Sequence, residues 1–417
     1  MRILRIKLLK WVIIMLDSIL SSVSLEIKEE LDRIDKIVYE NSVRVLDAFH
    51  KENFLTTDFS SSTGYGYNDL GRDKVERLFA DYFKAERALV RCQIVSGTHA
   101  ISTSLFGLLR PGDTFVSITG LPYDTIHEVI GIKDNDSSLK SFGINFKVVD
   151  LINNDFDYEE IRKNVFVKLI YIQRSIGYGN RSTISDEQLK KVIDFIKGIN
   201  KDVIVMVDNC YCEMCSMNEP TMFGADVVVG SLIKNLGGGI ATNGGYICGR
   251  EKYVELCAER LTSPGLGSEV GPSLNQTRSF ALGLYNAPSV VGAALKTKVF
   301  ARALFNKLGY ETINNDLNDI VLGIVFNDKD KLINFVKNIQ MESAIDASFT
   351  PIPTDMPGYD NQIIMASGSF TEGSSIELSC DAPIREPYIA YLQGSLSYEY
   401  GKIAIINVVN NLFKEKI

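Results

Sequence analysis

The chain has 417 residues, is 45 % hydrophobic and 23 % charged, and carries a formal net charge of −8. That balance describes an ordinary globular protein, long enough for one large core and a smaller one, and it excludes a general affinity for nucleic acid, which rests on clustered Lys and Arg. Seven cysteines without regular spacing fit a reducing compartment, so a cytoplasmic protein acting on a small molecule is expected.

Met1 to Leu20 opens with Arg2, Arg5, Lys7 and Lys10 among apolar residues, followed by the apolar run from Trp11 to Leu16. Asp17 interrupts that run, and it is too short for a membrane span. Three readings stay open for it: a docking helix, a weak membrane-surface segment, or an upstream extension with Met15 as a later start. From Leu25 to His50 apolar residues recur at spacings of three and four (Ile27, Leu31, Ile34, Val38, then Val43, Leu46, Phe49), which predicts one helix or a pair. Thr57 to Arg72 is rich in Ser, Gly and Tyr and reads as an ordered loop, or a disordered one if nothing binds it.

Beyond this loop the pattern alternates. Helix is predicted over Asp73 to Phe83, strand over Arg87 to Gln93, helix over His99 to Leu109, and strand over Thr114 to Ile118 after a turn at Arg110 to Asp113. Further strands are read at Phe146 to Val149, Val167 to Gln173, Val203 to Asp208 and Val227 to Val229, with a well-patterned helix over Ser185 to Ile199. Repeated β-then-α units imply a mostly parallel sheet sandwiched by helices, with ligands outside the carboxyl ends of the strands. From about Ala287 the pattern changes to a long helix, Val290 to Leu308, a strand, Asp319 to Phe326, and a helix, Lys329 to Ile339. An irregular loop, Phe349 to Asn361, a strand, Ser375 to Leu378, and a closing helix from Tyr398 complete a smaller α+β domain. The expected organisation is an extension with leading helices over 1–55, a large domain over 56–286 and a small domain over 287–417, with a pocket in the cleft between the two domains.

Lys234 follows the apolar run ending at Gly230 and precedes the glycines at 237 to 239, and no other lysine occurs between Lys201 and Lys252. A lysine so placed is ordinarily a solvated loop residue; its companions suggest another role. Asp208 ends a neighbouring strand, and an amine in a dry pocket with a carboxylate across from it suits pyridoxal phosphate, whose aldehyde condenses with the amine and whose ring nitrogen is kept protonated by the acid. A phosphate needs backbone N–H donors at a helix start, and Gly97, Thr98 and His99 open a helix after a strand, with Ser231 able to add a hydroxyl. Tyr123, just after a strand and Gly120, can cover the ring and carry a proton. A substrate carboxylate calls for an arginine fork: Arg385 is the choice and Arg174 the alternative. Cys210, Cys212 and Cys215 lack a clear fourth ligand for zinc, so buried thiols and no metal are expected.

These motifs resemble one family. Val207 to Tyr211, Glu219-Pro220, Gly224 to Asp226, Gly230 to Asn235, Gly237 to Ile240, Gly244 to Tyr246, Arg110 to Asp113, Tyr123 to Thr125, Gln173 to Ser175, and Glu377 to Ser379 with Pro383 to Tyr388 are similar to the methionine gamma-lyase-like proteins, also called the aluminium resistance family. These are fold-type I pyridoxal phosphate enzymes related to the cystathionine gamma-synthase and gamma-lyase group. The resemblance runs from about Leu25 to the carboxyl end. It implies the fold-type I transferase fold, a catalytic Lys234, Asp208 on the pyridine nitrogen, Tyr123 over the ring, and phosphate contacts from Gly97, Thr98 and Ser231. It further implies a homodimer or homotetramer in which Tyr67 and Arg72 reach a neighbouring subunit's phosphate site. Leu236, Thr242-Asn243 and Cys212 depart from the family pattern and bear on loop geometry and substrate preference. The implied activity is elimination at a carbon–sulfur bond of an amino acid, with Lys234 taking the Cα proton and Tyr123 as the acid, giving an oxo acid, ammonia and a thiol. The rivals are an aminotransferase, a pyridoxal phosphate-binding stress or metal-resistance protein without turnover, and a metal-binding protein using the cysteine cluster.

Overall fold

The computed structural model describes residues 16–414. The basic start of the amino-terminal segment therefore lies outside the described residues. Among those that are described, no helix is long and apolar enough to cross a membrane.

Seven strands form the larger sheet: β1 (Arg87–Arg91), β2 (Thr114–Ser117), β3 (Asn145–Val148), β4 (Leu169–Gln173), β5 (Ile204–Asp208), β6 (Val227–Ser231) and β7 (Gly245–Gly249), in the order β1-β7-β6-β5-β4-β2-β3. All pairs are parallel except those of β7, which runs antiparallel to both β1 and β6. Strands β4, β5 and β6 are buried along their whole length, as apolar runs covered on both faces must be. The mostly parallel sandwich read from the alternating pattern is thus the observed fold. Strand β7 is absent from the sequence pattern: five residues with glycine at each end carry little strand signal, and it is pairing on both sides that makes them a strand.

A second, antiparallel sheet holds β8 (Glu311–Ile313), β9 (Val321–Val325), β10 (Ile363–Ala366), β11 (Ser379–Pro383) and β12 (Ile389–Gln393) in the order β8-β9-β12-β11-β10. The strand expected at Ser375 to Leu378 is not one: those residues run as bends, and the strand begins at Ser379. Glu377 accepts from the N–H groups of Phe370 and Thr371, at 2.8 and 3.1 Å, which folds the segment back instead of extending it.

Among the described residues, the longer helices that cover these sheets include α1 (Lys28–Lys51), α2 (Leu70–Phe83), α3 (Gly97–Leu108), α4 (Asp186–Ile199), α5 (Glu251–Leu261), α6 (Thr277–Lys307), α7 (Lys329–Met341) and α8 (Tyr398–Lys414). Helix α6 begins 13 residues before the expected Val290 and carries Pro288 inside it. Packing overrides the proline there: a Cβ on Gly283 would lie 2.6 Å from the Gly237 carbonyl, so glycine lets the helix backbone rest directly on the loop that follows Lys234. Asn286 fastens the contact by donating to the Gly238 carbonyl at 2.9 Å.

The two sheets are bolted together at Asp319. Its carboxylate is fully buried, pairs with Lys298 of α6 at 2.9 Å, and accepts from Asn314 and the Val321 N–H at 2.7 and 2.9 Å. The Thr183 hydroxyl, from the larger sheet's side, donates to the same group. Removing either partner of so buried a pair would leave an uncompensated charge.

Candidate active site

The carboxyl ends of β1, β2, β4, β5 and β6 open on one cavity of about 350 Å³. Its lining includes Gly97, Thr98, Tyr123, Asp208, Ser231 and Lys234, so six of the residues singled out in the sequence converge on it. Gly97 and Thr98 begin α3, whose N-cap Ser96 accepts from the His99 N–H at 3.0 Å. The helix thus presents its free N–H groups and positive end to the cavity. Ser231, the last residue of β6, has its hydroxyl oxygen buried with no hydrogen-bond partner. A Cβ on Gly97 would meet Cys210 Sγ at 3.1 Å and Ser231 Cβ at 3.5 Å, so the space above this helix start exists because the residue is glycine. An orphaned hydroxyl facing a helix N-terminus across a glycine gap fits a phosphate group.

At the next strand end Asp208 is buried. Its two oxygens accept from the Cys210 N–H at 3.1 Å and the Tyr171 hydroxyl at 3.3 Å. Burial pushes its carboxyl above the usual range, against the pull of Cys210, Tyr171 and Lys234. A buried carboxylate with spare lone pairs fits a protonated ring nitrogen.

Lys234 leaves the sheet just past β6 and turns its Nζ into the cavity, 2.6 Å from the Tyr211 hydroxyl and 2.7 Å from Ser375 Oγ. Burial pulls the ammonium down, but Tyr211, Cys210 and Asp381 outweigh it and hold the group above the ordinary lysine value. Tyr123 is fixed by its own N–H donating to Gln173 Oε1 at 2.6 Å, and its hydroxyl lies 2.6 Å from that of Tyr359. Burial raises this phenol well above its ordinary range, so Tyr123 is a neutral donor.

The remaining residues singled out in the sequence fall elsewhere in the structure. His99 does not line the cavity; its Nδ1 accepts from the Val95 N–H at 3.2 Å and so braces the turn before α3. Arg174 is fully buried, donating to the Ile184 carbonyl at 3.0 Å, to Asn209 and to Asp186, and it is not free to grip a carboxylate. Arg385 lies behind the cavity wall in an adjoining cleft, where it donates to the Tyr178 carbonyl at 2.9 Å. Tyr67 is exposed, and Arg72 sits in the first turn of α2, donating to the Gly66 and Gly271 carbonyls at 2.7 and 3.0 Å. The three clustered cysteines are free and buried, with Cys210 in the cavity wall. Tyr211, Ser375, Asp381 and Tyr359 have no role legible in the sequence pattern. Tyr211 alone has a local signal, its place in the run from Val207 that also holds Asp208.

A lysine amine, a buried acid at a neighbouring strand end and a phosphate cradle on a mostly parallel sheet define a pyridoxal phosphate-dependent enzyme of fold type I. A family model described as methionine gamma-lyase matches residues 16–413, and the chain belongs to that family of pyridoxal phosphate-dependent lyases. It is 44 % identical over 411 residues to the uncharacterised protein YnbB of Bacillus subtilis (strain 168), covering 96 % of this chain and 98 % of that one. A solved structure from Listeria monocytogenes str. 4b F2365, provisionally assigned as a cystathionine beta-lyase involved in aluminium resistance, is 45 % identical with a TM-score of 0.92, covering 94 % of this chain and 99 % of the other. A carbon–sulfur lyase involved in aluminium resistance from Clostridium novyi NT is 44 % identical with a TM-score of 0.90, covering 95 % of each chain.

Two predictions arise from this geometry. Gly97→Val should weaken loading of the cofactor-free chain with pyridoxal phosphate by roughly tenfold or more, read by absorbance titration, because it fills the phosphate cradle. Glu213 sits beneath Gly230, accepts from the Tyr246 hydroxyl at 2.8 Å, and has its other oxygen buried and unpaired. Burial, with Glu219 and Asp208 adding to it, pushes its carboxyl up to about 8. The folded state therefore holds this proton where the unfolded chain has lost it, so the group's contribution to stability falls as pH rises from about 4.5 to about 8. Glu213→Gln should remove that slope, a difference on the order of 3–5 kcal/mol between pH 5 and pH 9 by denaturant titration.

Proposed function

We propose that the protein eliminates a thiol from a sulfur-containing amino acid, releasing an oxo acid and ammonia. The observation that carries this reading is the pairing in one cavity of an amine held by two hydroxyls, Lys234, with a neutral phenol, Tyr123. When bound, pyridoxal phosphate supplies an electron sink that makes the substrate's Cα proton removable. Gly97, Thr98 and Ser231 would hold its phosphate and Asp208 its ring nitrogen. The ammonium of Lys234 belongs to the cofactor-free chain; joining an aldehyde requires that proton to be shed, and it is as the neutral amine, oriented by Tyr211 and Ser375, that Lys234 would take the Cα proton. Tyr123, kept protonated by burial, gives its proton to the leaving sulfur. The unsaturated amino acid left by loss of the thiol takes up one water after its release, which gives the oxo acid and ammonia.

The supporting context includes the carbon–sulfur lyase description carried by a 44 % identical chain. In the same reading Tyr67 acts across the interface of a homodimer or homotetramer, while Arg72, buried with its guanidinium on the Gly66 and Gly271 carbonyls and Asp73, holds that loop in place. Exposed Tyr65, Tyr67 and Leu70 give that loop an apolar face for a second copy. The test is incubation of the holoenzyme with methionine, cysteine and thioether amino acids. Equal release of ammonia and oxo acid is expected without an added oxo acid; transfer of nitrogen to an added oxo acid, with no free ammonia, would identify an aminotransferase instead.

A further inference from the structure

The cavity carries more polar chemistry than its cofactor needs. Ser379, Asp381 and Gln393 project from one face of the second sheet, Ser379 and Asp381 two residues apart on β11 and Gln393 paired with Ser379 across β12. Asp381 accepts from Gln393 Nε2 at 3.0 Å. The Ser379 hydroxyl, on a buried residue lining the cavity, has no hydrogen-bond partner, and the Tyr178 hydroxyl faces Asp381 and Tyr123. All four stand on the wall formed by the second sheet and the Tyr178 turn, whereas the phosphate cradle lies on the wall formed by α3 and β6.

No arginine lines this cavity among the described residues, and Lys234 is its one cation. Lys234 is also the residue committed to the cofactor. Asp381 is thus a half-buried acid on the cavity wall, held by an amide, with the Ser379 and Tyr178 hydroxyls on the same wall. A carboxylate so placed is costly unless a cation meets it.

We infer that Asp381, with Tyr178 and Ser379, forms a subsite for a positively charged group on the side chain of the substrate, so that the preferred amino acids carry an ammonium beyond the bond that breaks. The inference rests on the reading of the site as one that binds amino acids. Asp381 is a specificity-determining residue in this arrangement, with Gln393 orienting its carboxylate and the two hydroxyls completing the shell around the ammonium.

L-lysine and L-norleucine separate the two ideas, because they share a chain length, differ in the distal ammonium and lack a breakable carbon–sulfur bond. Each is titrated into the holoenzyme and its binding read from the change in cofactor absorbance and, independently, from the shift in melting temperature. The wild type should bind lysine about tenfold or more tightly than norleucine. In Asp381→Asn the ratio should fall to about one, and Tyr178→Phe should lower it part of the way. Equal affinities in the wild type, or a lysine preference that survives in Asp381→Asn, would overturn the subsite while leaving amino-acid chemistry intact. A spectrum that responds to neither compound would overturn both.

Discussion

Lys234→Ala is expected to lower turnover by roughly 10³–10⁴-fold and to abolish the visible band of the covalently held cofactor, while the chain stays folded. The loss is large because one nitrogen has two tasks, holding the cofactor and moving the Cα proton. Among the described residues no other lysine lines the cavity to take over either task. The fold should survive because the Nζ hydrogen bonds run to Tyr211 and Ser375, both on the cavity wall, and neither bond spans a core layer. Circular dichroism and gel filtration would register a fold effect, and absorbance of the dialysed protein would register the cofactor effect. Slow recovery of turnover with added small amines would separate the proton-transfer role from the structural one.

Asp208→Asn is the second large effect, and its two consequences run in opposite directions. The amide keeps the shape of the carboxylate and one oxygen for the Cys210 N–H, but it cannot stabilise a charged ring nitrogen. Turnover should fall by roughly 10²–10³-fold. Stability of the cofactor-free chain should rise. Burial holds the Asp208 carboxyl above its ordinary value, so the folded state binds a proton that the unfolded chain releases, and the group's contribution is lost as pH climbs past the unfolded value toward the folded one. At neutral pH the asparagine variant avoids that loss, and its melting temperature without cofactor should equal or exceed that of the wild type. A lower melting temperature without cofactor would mean that Asp208 holds the fold rather than the ring.

The part of the site that is legible in the sequence is the part built at strand ends. Asp208 closes β5, Ser231 closes β6, and Gly97 and Thr98 open the helix after β1. Runs such as Ile204 to Val207 announce a strand buried on both faces, and its last residue faces the ligand edge of a parallel sheet. Ser375, Tyr359 and Asp381 come from the second sheet and its loops, more than 120 positions beyond Lys234, and only the packing of the sheets brings them to the cavity. Arg174 shows the limit of the strand-end argument. It follows β4 immediately, yet its guanidinium turns away to the Ile184 carbonyl and Asp186, since a long side chain at a strand end can satisfy its donors on either side. Arg385 is placed by its sequence to close the cleft on a carboxylate, but Tyr178 stands between it and the cavity and takes up one of its donors. The strand expected at Ser375 to Leu378 fails for a related reason: alternating Ser, Ile, Glu and Leu satisfies the strand period, while Glu377 is occupied in capping a bend.

The most direct measurement is to reduce the holoenzyme with borohydride, which fixes the cofactor to whatever nitrogen holds it, then digest the protein and locate the adduct by mass spectrometry. A single phosphopyridoxyl group on the peptide containing Lys234, absent from Lys234→Ala, is the expected result. An adduct on another lysine, or none on protein that has been loaded with the cofactor, would contradict the assignment of this cavity as the active site.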